Sequence, residues 1–598
     1  MGVLDNIRVR DQNARVSRSF VEDDAQRDAA VSAEAYTGSL EWRDEKELNE
    51  HPDSVNEKAE DGLKKAEASA LVWSKKVVYS IYAWIWVCFF ALAFHQSMIP
   101  TFGLFAYADF QNAPQITTAN IAGILIGGIL KLPLAKILNL FGRAEGLFMA
   151  LVAYVMGIII LAACTGPASY ATGYVFYWIG YDLIYLILQI FIADTTGLRN
   201  RAWAIAFAST PFILTAFTAP LAANSFLATS GWRWGYGSFA IIQPFVFGPL
   251  IFVFKFYERK AVKLGLYKKS SSGRTTMQSI AHYIHEFDVI GAFLLMAAFV
   301  LFLLPFSLTS YNLTGYGSAT FIAMVVVGLC LFPVFVIWER FFARAHFVRW
   351  EVFKNRSVAG ACLLSALMNF SFDLWDTYLT NFLYIVYDLN VTDAGYMAQI
   401  YNVGSCFWSV LVGIYIYKTK HFKYLCLFFG QPLMILGSGL MIYFRGNDHG
   451  IGFIIMCQIF IAFAGGTNVI GNDMAVMAGA DREGIPMALC LVGLFQSVGG
   501  AIGYAVCAAI FNSTFESTLR AHLPDNLKSQ ASYLTLHGVK AQIPLPEGPE
   551  REAVAYAWGW TQRQNCIAST AILALGLPAI LMWRNVNVDK KQVKGTVI

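Results

Sequence analysis

The chain has 598 residues, 57% of them hydrophobic and only 14% charged, with a mean hydropathy of +0.50; soluble domains carry roughly a quarter charged residues. Its 47 Phe, 28 Tyr and 15 Trp run through most of the length, which excludes a large soluble enzyme held on one anchor. A net charge of +4, the difference between 44 basic and 40 acidic residues, gives no reason to expect a nucleic-acid partner.

In chain order, residues 1–74 are polar, mixed in charge and poor in large aliphatics, and they lack the apolar core of a signal peptide. They are expected to form a mostly disordered cytosolic tail, in which the Glu-, Lys- and Ala-rich piece Asp44 to Leu71 could form a transient helix and is expected to be solvated rather than docked. The first apolar run then spans 77–99. Further runs lie near 118–138, 146–165, 172–193, 203–227, 238–256, 288–309, 317–338, 358–386, 394–417, 424–443, 451–472, 484–511 and 563–583. That makes about fourteen transmembrane helices, an all-α membrane protein with the lipid bilayer as its solvent.

Between them, an N-terminal transmembrane half (75–256) is followed by a cytosolic linker (257–287), in which Thr276 to Phe287 has the period of a surface helix. Then come a C-terminal transmembrane region (288–512), an external loop (513–562), a last helix (563–583) and a cytosolic tail (584–598). Six spans precede the linker and eight follow, the arithmetic of two six-helix halves plus an additional pair.

Lys and Arg set the orientation. One set of connections holds Lys136 and Arg143, Arg199 and Arg201, the run from Arg259 to Arg274, Arg340 to Arg356, Lys418 to Lys423, and Arg482. The alternate short loops hold only Arg233 and Arg445. Basic flanks stay on the cytoplasmic side, so both termini are expected there. Sequons at Asn312, Asn390 and Asn512 fall outside on this topology, while those at Asn355 and Asn369 do not. All ten cysteines lie in or beside apolar runs, where Cys acts as a small hydrophobe and no disulfide framework is expected.

Several stretches carry a resemblance. Ala135 to Gly146, reading AKILNLFGRAEG, is similar to the loop between the second and third helices of the major facilitator superfamily, with Ala135 in place of its first Gly and Asn139 in place of its Asp. Phe141 to Gly146, Ala193 to Arg201, Trp232 to Phe239, Leu374 to Tyr378, Asp393 to Tyr396, Gly404 to Trp408, Cys457 to Gly466 and Ser497 to Gly503 resemble the fungal siderophore–iron transporters, fourteen-span members of that superfamily. Gly548 to Arg551 with Ala555 and Tyr556 also looks like that family's segment before the last span. Gly471-Asn472-Asp473, Asp373 and Thr210-Pro211 depart from its pattern. The resemblance implies a major facilitator fold, uptake of a ferric siderophore with protons by alternating access, no cofactor, and a monomer. It also implies a plasma membrane location, with an endosomal or vacuolar membrane as the other choice.

Ionisable side chains at bilayer depth cost several kcal/mol unless paired or wet, so each is a functional candidate. Asp182 sits with Trp178, Tyr181, Tyr185 and Gln189 at three- and four-residue spacing, and Lys131 is placed to pair with it. Asp373 and Asp376 lie three apart beside Asn369 and Trp375. These three aspartates are the proton-coupling candidates, against a reading in which each only ties helices together; Lys131, the aromatics and the amides are the substrate-pocket candidates. Arg143, Asp194, Arg199 and Arg201 are cytosolic gate candidates, with a purely topological role as the alternative. Trp232, Arg233, Trp234, Tyr236 and Tyr556 are external capture candidates, or interfacial anchors. Glycines at Gly123, Gly127, Gly499 and Gly503 have the spacing of close helix contacts. His282 and His285 lack the companion ligands of a metal site. No enzyme is expected: haem-spaced histidines, nucleotide motifs and a soluble catalytic domain are all absent from the sequence. A proton-coupled exporter or exchanger of drugs, glutathione or another metabolite, and a nutrient-sensing receptor, remain open beside import.

Overall fold

The computed structural model describes residues 61–110, 116–196, 198–266, 278, 285–309, 315–343, 354–445, 449–479, 484–537, 539–542 and 544–588. Fourteen helices among them are long and apolar enough to cross a bilayer, and no strand occurs among the described residues. The first seven spans are Lys76–Gly103, Ile121–Leu138, Arg143–Ala163, Pro167–Thr195, Asn200–Thr229, Gly231–Lys263 and Val289–Phe306. The remaining seven are Ala319–Phe342, Arg356–Val386, Thr392–Thr419, Lys423–Phe444, Ile451–Gly479, Met487–His522 and Pro549–Leu581. The chain is a multi-pass, all-α membrane protein, since only closed backbone hydrogen bonding within helices lets such runs sit in hydrocarbon.

Without a hydrophobic drive between helices in lipid, close backbone approach holds the bundle. Spans 3 and 4 meet at Gly157 and Gly180, where an added Cβ would overlap the backbone of Tyr177 and of Tyr154. Spans 9 and 13 meet the same way, with Gly499 and Gly503 against the backbone of Ala366 and Phe370. The two halves join along two seams. Span 2 lies on span 13, with Gly128 against Ser497 and Lys131 against Gly493; span 5 lies on span 10, with Trp203 against Gly413 and the Phe217 and Tyr396 rings 6.3 Å apart. The added pair is peripheral. Span 7 packs into the first seam, where Leu303 joins Ile121, Leu125, Ala501 and Ala505, and span 8 leans on span 7 and is almost wholly open to lipid.

Three boundaries differ from the sequence expectation. Residues Asp61–Val72, read as solvated tail, form a helix docked on the first half: Lys65 donates to the Phe141 carbonyl (2.6 Å), Ala68 is buried with Ala261, and Trp73 just beyond it sits among Phe191, Phe254 and Tyr257. One small-residue face, one aromatic and one paired cation are enough to hold a helix whose composition otherwise looks soluble. Residues 513–562, read as one loop, hold the end of the span 13 helix, which runs to His522, and the start of the span 14 helix at Pro549. Leu519, Leu523, Leu534 and Trp558 give these extensions a core of their own, and short helices Ala531–His537 and Val539–Gln542 close it. Span 6 continues as helix to Lys263, so the linker begins later; the surface helix expected over Thr276 to Phe287 and the His282 of the HxxH lie largely outside the described residues.

Candidate functional site

Span 4 presents Trp178, Asp182, Tyr185 and Gln189 along one half-buried stripe, as their spacing predicts. Tyr181 is turned off that stripe and buried, its hydroxyl donating to Gln96 of span 1 (2.7 Å). Asp182 meets Lys131 of span 2 at 3.2 Å, with about 15% of the carboxylate side chain and 11% of the lysine exposed. Gly127 lets them approach: a Cβ there would stand 3.1 Å from the Asp182 carboxylate. An ion pair so placed is retained by mutual need, because either charge alone would be stranded at low dielectric.

Span 9 is built differently. Its helix stops at Asp376, and a new one starts at Leu379. A discontinuous helix frees backbone groups and is the common way for membrane carriers to build a polar site. Asn369 and Asp376 lie on the half-exposed side, and Asn369 accepts a hydrogen bond from Gln496 of span 13 (3.3 Å). Asp373 does not share their side. Three residues advance a helix by about 300°, and the remaining 60° turns Asp373 into the contact with span 13, against Gly500, Gly503 and Tyr504. Trp375 is also not on a pocket wall; it is fully buried, stacked edge-on with Phe372 and Tyr401.

Residues that the sequence reading passed over complete the interior. Tyr401 and Cys406 of span 10 lie within electrostatic range of Asp376 and of Tyr181 and Tyr185 respectively, bringing the two halves' polar faces towards each other. Asp473 of span 12 lies within electrostatic range of Tyr185 of span 4. The signal for Asp473 was present, as an acid at bilayer depth inside a departure from the family pattern. His95, fully buried, hydrogen-bonds the Tyr154 hydroxyl through Nδ1 (2.8 Å) within an aromatic cluster of the first half.

At the end of the bundle that carries the span 2–3 connection, Arg143 forms a two-point contact with Asp194 (Nε and Nη2 both 3.0 Å from Oδ2), and its Nη1 donates to the Leu138 carbonyl. Arg201, fully buried, donates from Nη2 to the carbonyls of Ala193 (2.6 Å) and Thr196 (3.0 Å), closing the C-terminus of span 4. The Arg199 side chain lies outside the described residues. Glu145 adds a second layer, paired with Lys255 and with Lys65 of the docked helix.

At the opposite end the expected capture aromatics separate. Trp232 donates to Asp109 (2.7 Å), Arg233 stacks on the Trp232 ring at 4.2 Å and donates to the Cys164 carbonyl, and Tyr236 is fully buried, hydrogen-bonded to Tyr170. Of that group Trp234 and Arg233 are exposed, while Trp232 and Tyr236 are buried. Tyr556 belongs to the cap of the other half, its ring 4.2 Å from that of His522. Arg445, read from sequence as a loop charge, is instead wholly buried beside Trp375 and Gln562.

No protein-family model matches the chain. The chain is 59% identical over 94% of its length to siderochrome iron transporter 2 of Aspergillus fumigatus, covering 92% of that protein. It is 43% identical over 91% of its length to an MFS siderochrome iron transporter 1 of Ajellomyces capsulatus (93% covered), and 36% identical over 90% to the siderophore iron transporter mirB of Emericella nidulans (89% covered). Among solved structures, a bacterial homolog of the human lysosomal transporter Spinster, inward-facing and occupied, aligns with a TM-score of 0.50 at 12% identity, covering 85% of this chain and 97% of that one. At that identity the likeness speaks for the fold alone. End-to-end identity at these levels, on a two-half bundle with an added pair, means that the chain belongs to the fungal siderochrome iron transporters of the major facilitator superfamily, a family of transporters rather than enzymes.

Proposed function

We propose that this protein carries ferric siderophore complexes inward across a fungal membrane together with protons, as a monomer, by alternating access of its two halves. The observation that carries the reading is the near end-to-end similarity to relatives named siderochrome and siderophore iron transporters. The iron travels inside its organic chelator, as cargo. The interior polar faces suit that cargo: phenols, indoles and amides of spans 4, 9, 10 and 13 offer stacking surface and hydrogen bonds to a large, nearly neutral chelate.

Coupling rests on Asp182 and Asp376, one in each half. A carboxyl that accepts a proton from the outer compartment loses its charge, so the half that carries it no longer holds its counter-ion and is free to rock; release of the proton inside restores the pairing. Asp373, turned into a helix contact, is the weakest of the three candidates for this role. Arg143, Asp194, Arg201 and Glu145 brace the cytosolic mouth. The Lys and Arg asymmetry supports cytosolic termini, and the family resemblance a plasma membrane location.

Accumulation of radiolabelled ferric siderophores in cells expressing the full chain, with and without a protonophore, tests the reading. Uptake that collapses with the proton gradient is expected. Failure to accumulate any member of a broad siderophore panel would defeat the substrate assignment, and uptake indifferent to the protonophore would defeat the coupling.

A further inference from the structure

Arg445 stands just past the end of span 11 with 0% of its surface exposed, and among the described residues no carboxylate lies within 4.0 Å of it. A guanidinium keeps its charge at any working pH, and an apolar side chain of similar volume would fill a buried site at lower cost. What Arg445 contributes is its donors and its flat face, and both are turned on the break of span 9. Nη1 donates to the carbonyl of Trp375 (2.6 Å) and to the side-chain oxygen of Gln562 in span 14. The guanidinium lies 5.7 Å from the Trp375 ring centre and 5.9 Å from that of Phe382, within reach of a cation–π contact. Trp375 belongs to the half-helix Arg356–Asp376 before the break, and Phe382 to the half-helix Leu379–Val386 after it.

The first half-helix ends at Asp376, so the Trp375 carbonyl is among the last four, which have no partner within their own helix. A cation at a helix C-terminus satisfies such a carbonyl and complements the negative end of the dipole. Arg445 does this while its face rests near the second half-helix and Gln562 ties it to span 14. We propose that Arg445 is a splint across the break of span 9, a positioning residue that holds the two half-helices in one alignment and so fixes Asn369 and Asp376 toward the cargo. Those two residues lie on one half-exposed side of the helix, because seven residues make nearly two whole turns. The inference rests on the reading of this interior as the ferric siderophore site. A second tie joins the same three spans away from the break and serves as the comparison. Ser569 of span 14 is hydrogen-bonded to Ser371 of span 9 (2.6 Å) and to Ser438 of span 11 (3.2 Å), all three buried.

Two measurements on the full chain test this. The first, hydrogen exchange over residues 373–382 of the detergent-purified protein, needs no cargo. Arg445→Met keeps the length and loses the donors, and is expected to speed exchange there at least about tenfold, with Gln562→Leu doing so by less. Ser569→Ala is expected to leave that segment at the parent rate. The second is the concentration dependence of ferric trihydroxamate uptake by cells, normalised to surface protein. Arg445→Met is expected to raise KM about fivefold, the scale of one lost hydrogen bond, with the maximal rate within about twofold of the parent. Arg445→Lys, which can donate to the carbonyl but lacks the flat fork, is expected to recover part of that loss. Gln562→Leu is expected to raise KM in the same direction, and it keeps the test alive should Arg445→Met fail to reach the membrane. Parent exchange rates in Arg445→Met and Gln562→Leu, or an equal effect in Ser569→Ala, overturn the splint. Faster exchange with an unchanged KM overturns its role in positioning the cargo side. A parent chain that takes up no ferric siderophore overturns the reading of the cargo, and the exchange rates then decide the splint by themselves.

Discussion

The two halves of the bundle answer the same electrostatic problem in opposite ways. In the first half the acid and its cation are closed on each other, Lys131 against Asp182 at 3.2 Å, across two unbroken helices with a glycine clearing the space. In the second half the acid stands at a helix break, and the buried guanidinium of Arg445 is held by a carbonyl and an amide instead. A closed pair resists change of protonation, because the partner's charge must then be left bare. An open arrangement can change protonation with less disruption. On the proposed coupling, Asp182 gives up an ion pair when it takes a proton, whereas Asp376 has no ion-pair partner within 4.0 Å among the described residues to give up.

The comparison is most sharply broken by removing one partner of the closed pair. Lys131→Met leaves Asp182 buried without its cation and is expected to cost about 3–5 kcal/mol of stability, read as a lowered thermal transition of the detergent-purified protein. Lys131→Met with Asp182→Asn should regain part of that loss; equal losses in the single and double variants would mean that the pair is not the unit.

Next in size, Trp73→Ala strips the docked helix of its aromatic anchor and is expected to cost about 2 kcal/mol, with new proteolytic cleavage near residues 61–72. Unchanged cleavage would mean that the helix holds without its anchor. A third effect contrasts the neighbours of span 9. Asp376→Asn is expected to lower uptake at least about tenfold, about 1.4 kcal/mol, at unchanged surface level, while Asp373→Asn stays within about twofold of the parent. The reverse ranking would move the coupling acid into the contact with span 13. Smallest of all, Asp388→Asn opens the pair with Arg551 (2.6 Å, the aspartate 79% exposed) and is expected to change stability by about 1 kcal/mol or less and uptake not at all.

Particular residues mark how far the sequence was legible. All fourteen spans were read in order from run length, and the stripe of Trp178, Asp182, Tyr185 and Gln189 from its spacing, because both depend only on helical geometry. Trp375 and Asp373 were misplaced. About 60° of helix rotation separates Asp373 from Asp376 and about 100° separates Trp375 from it, and which neighbour fills those sectors is not written in the spacing. Tyr236 and Trp232 looked like a rim cluster but are buried, the Tyr236 hydroxyl bonded to the buried Tyr170 and the Trp232 indole to Asp109. The docking of this helix was hidden by its composition, because its anchor, Trp73, lies just past it and its ion pair joins Lys65 to Glu145, far along the chain.

The amino-acid order alone determined that this protein lives in lipid, with six long apolar runs, then eight, and a handful of acids too costly to be idle. Those conclusions follow from transfer energies and from the rise of a helix, which act residue by residue. Tertiary structure decided which acids are answered and by what. Lys131 reaches Asp182 from another helix, Asp373 turns into a glycine-lined contact, and Arg445 leaves the loop assigned to it for the interior of the second half. Coulomb energy depends on distance and on surrounding dielectric, and both are set only when separate helices come together.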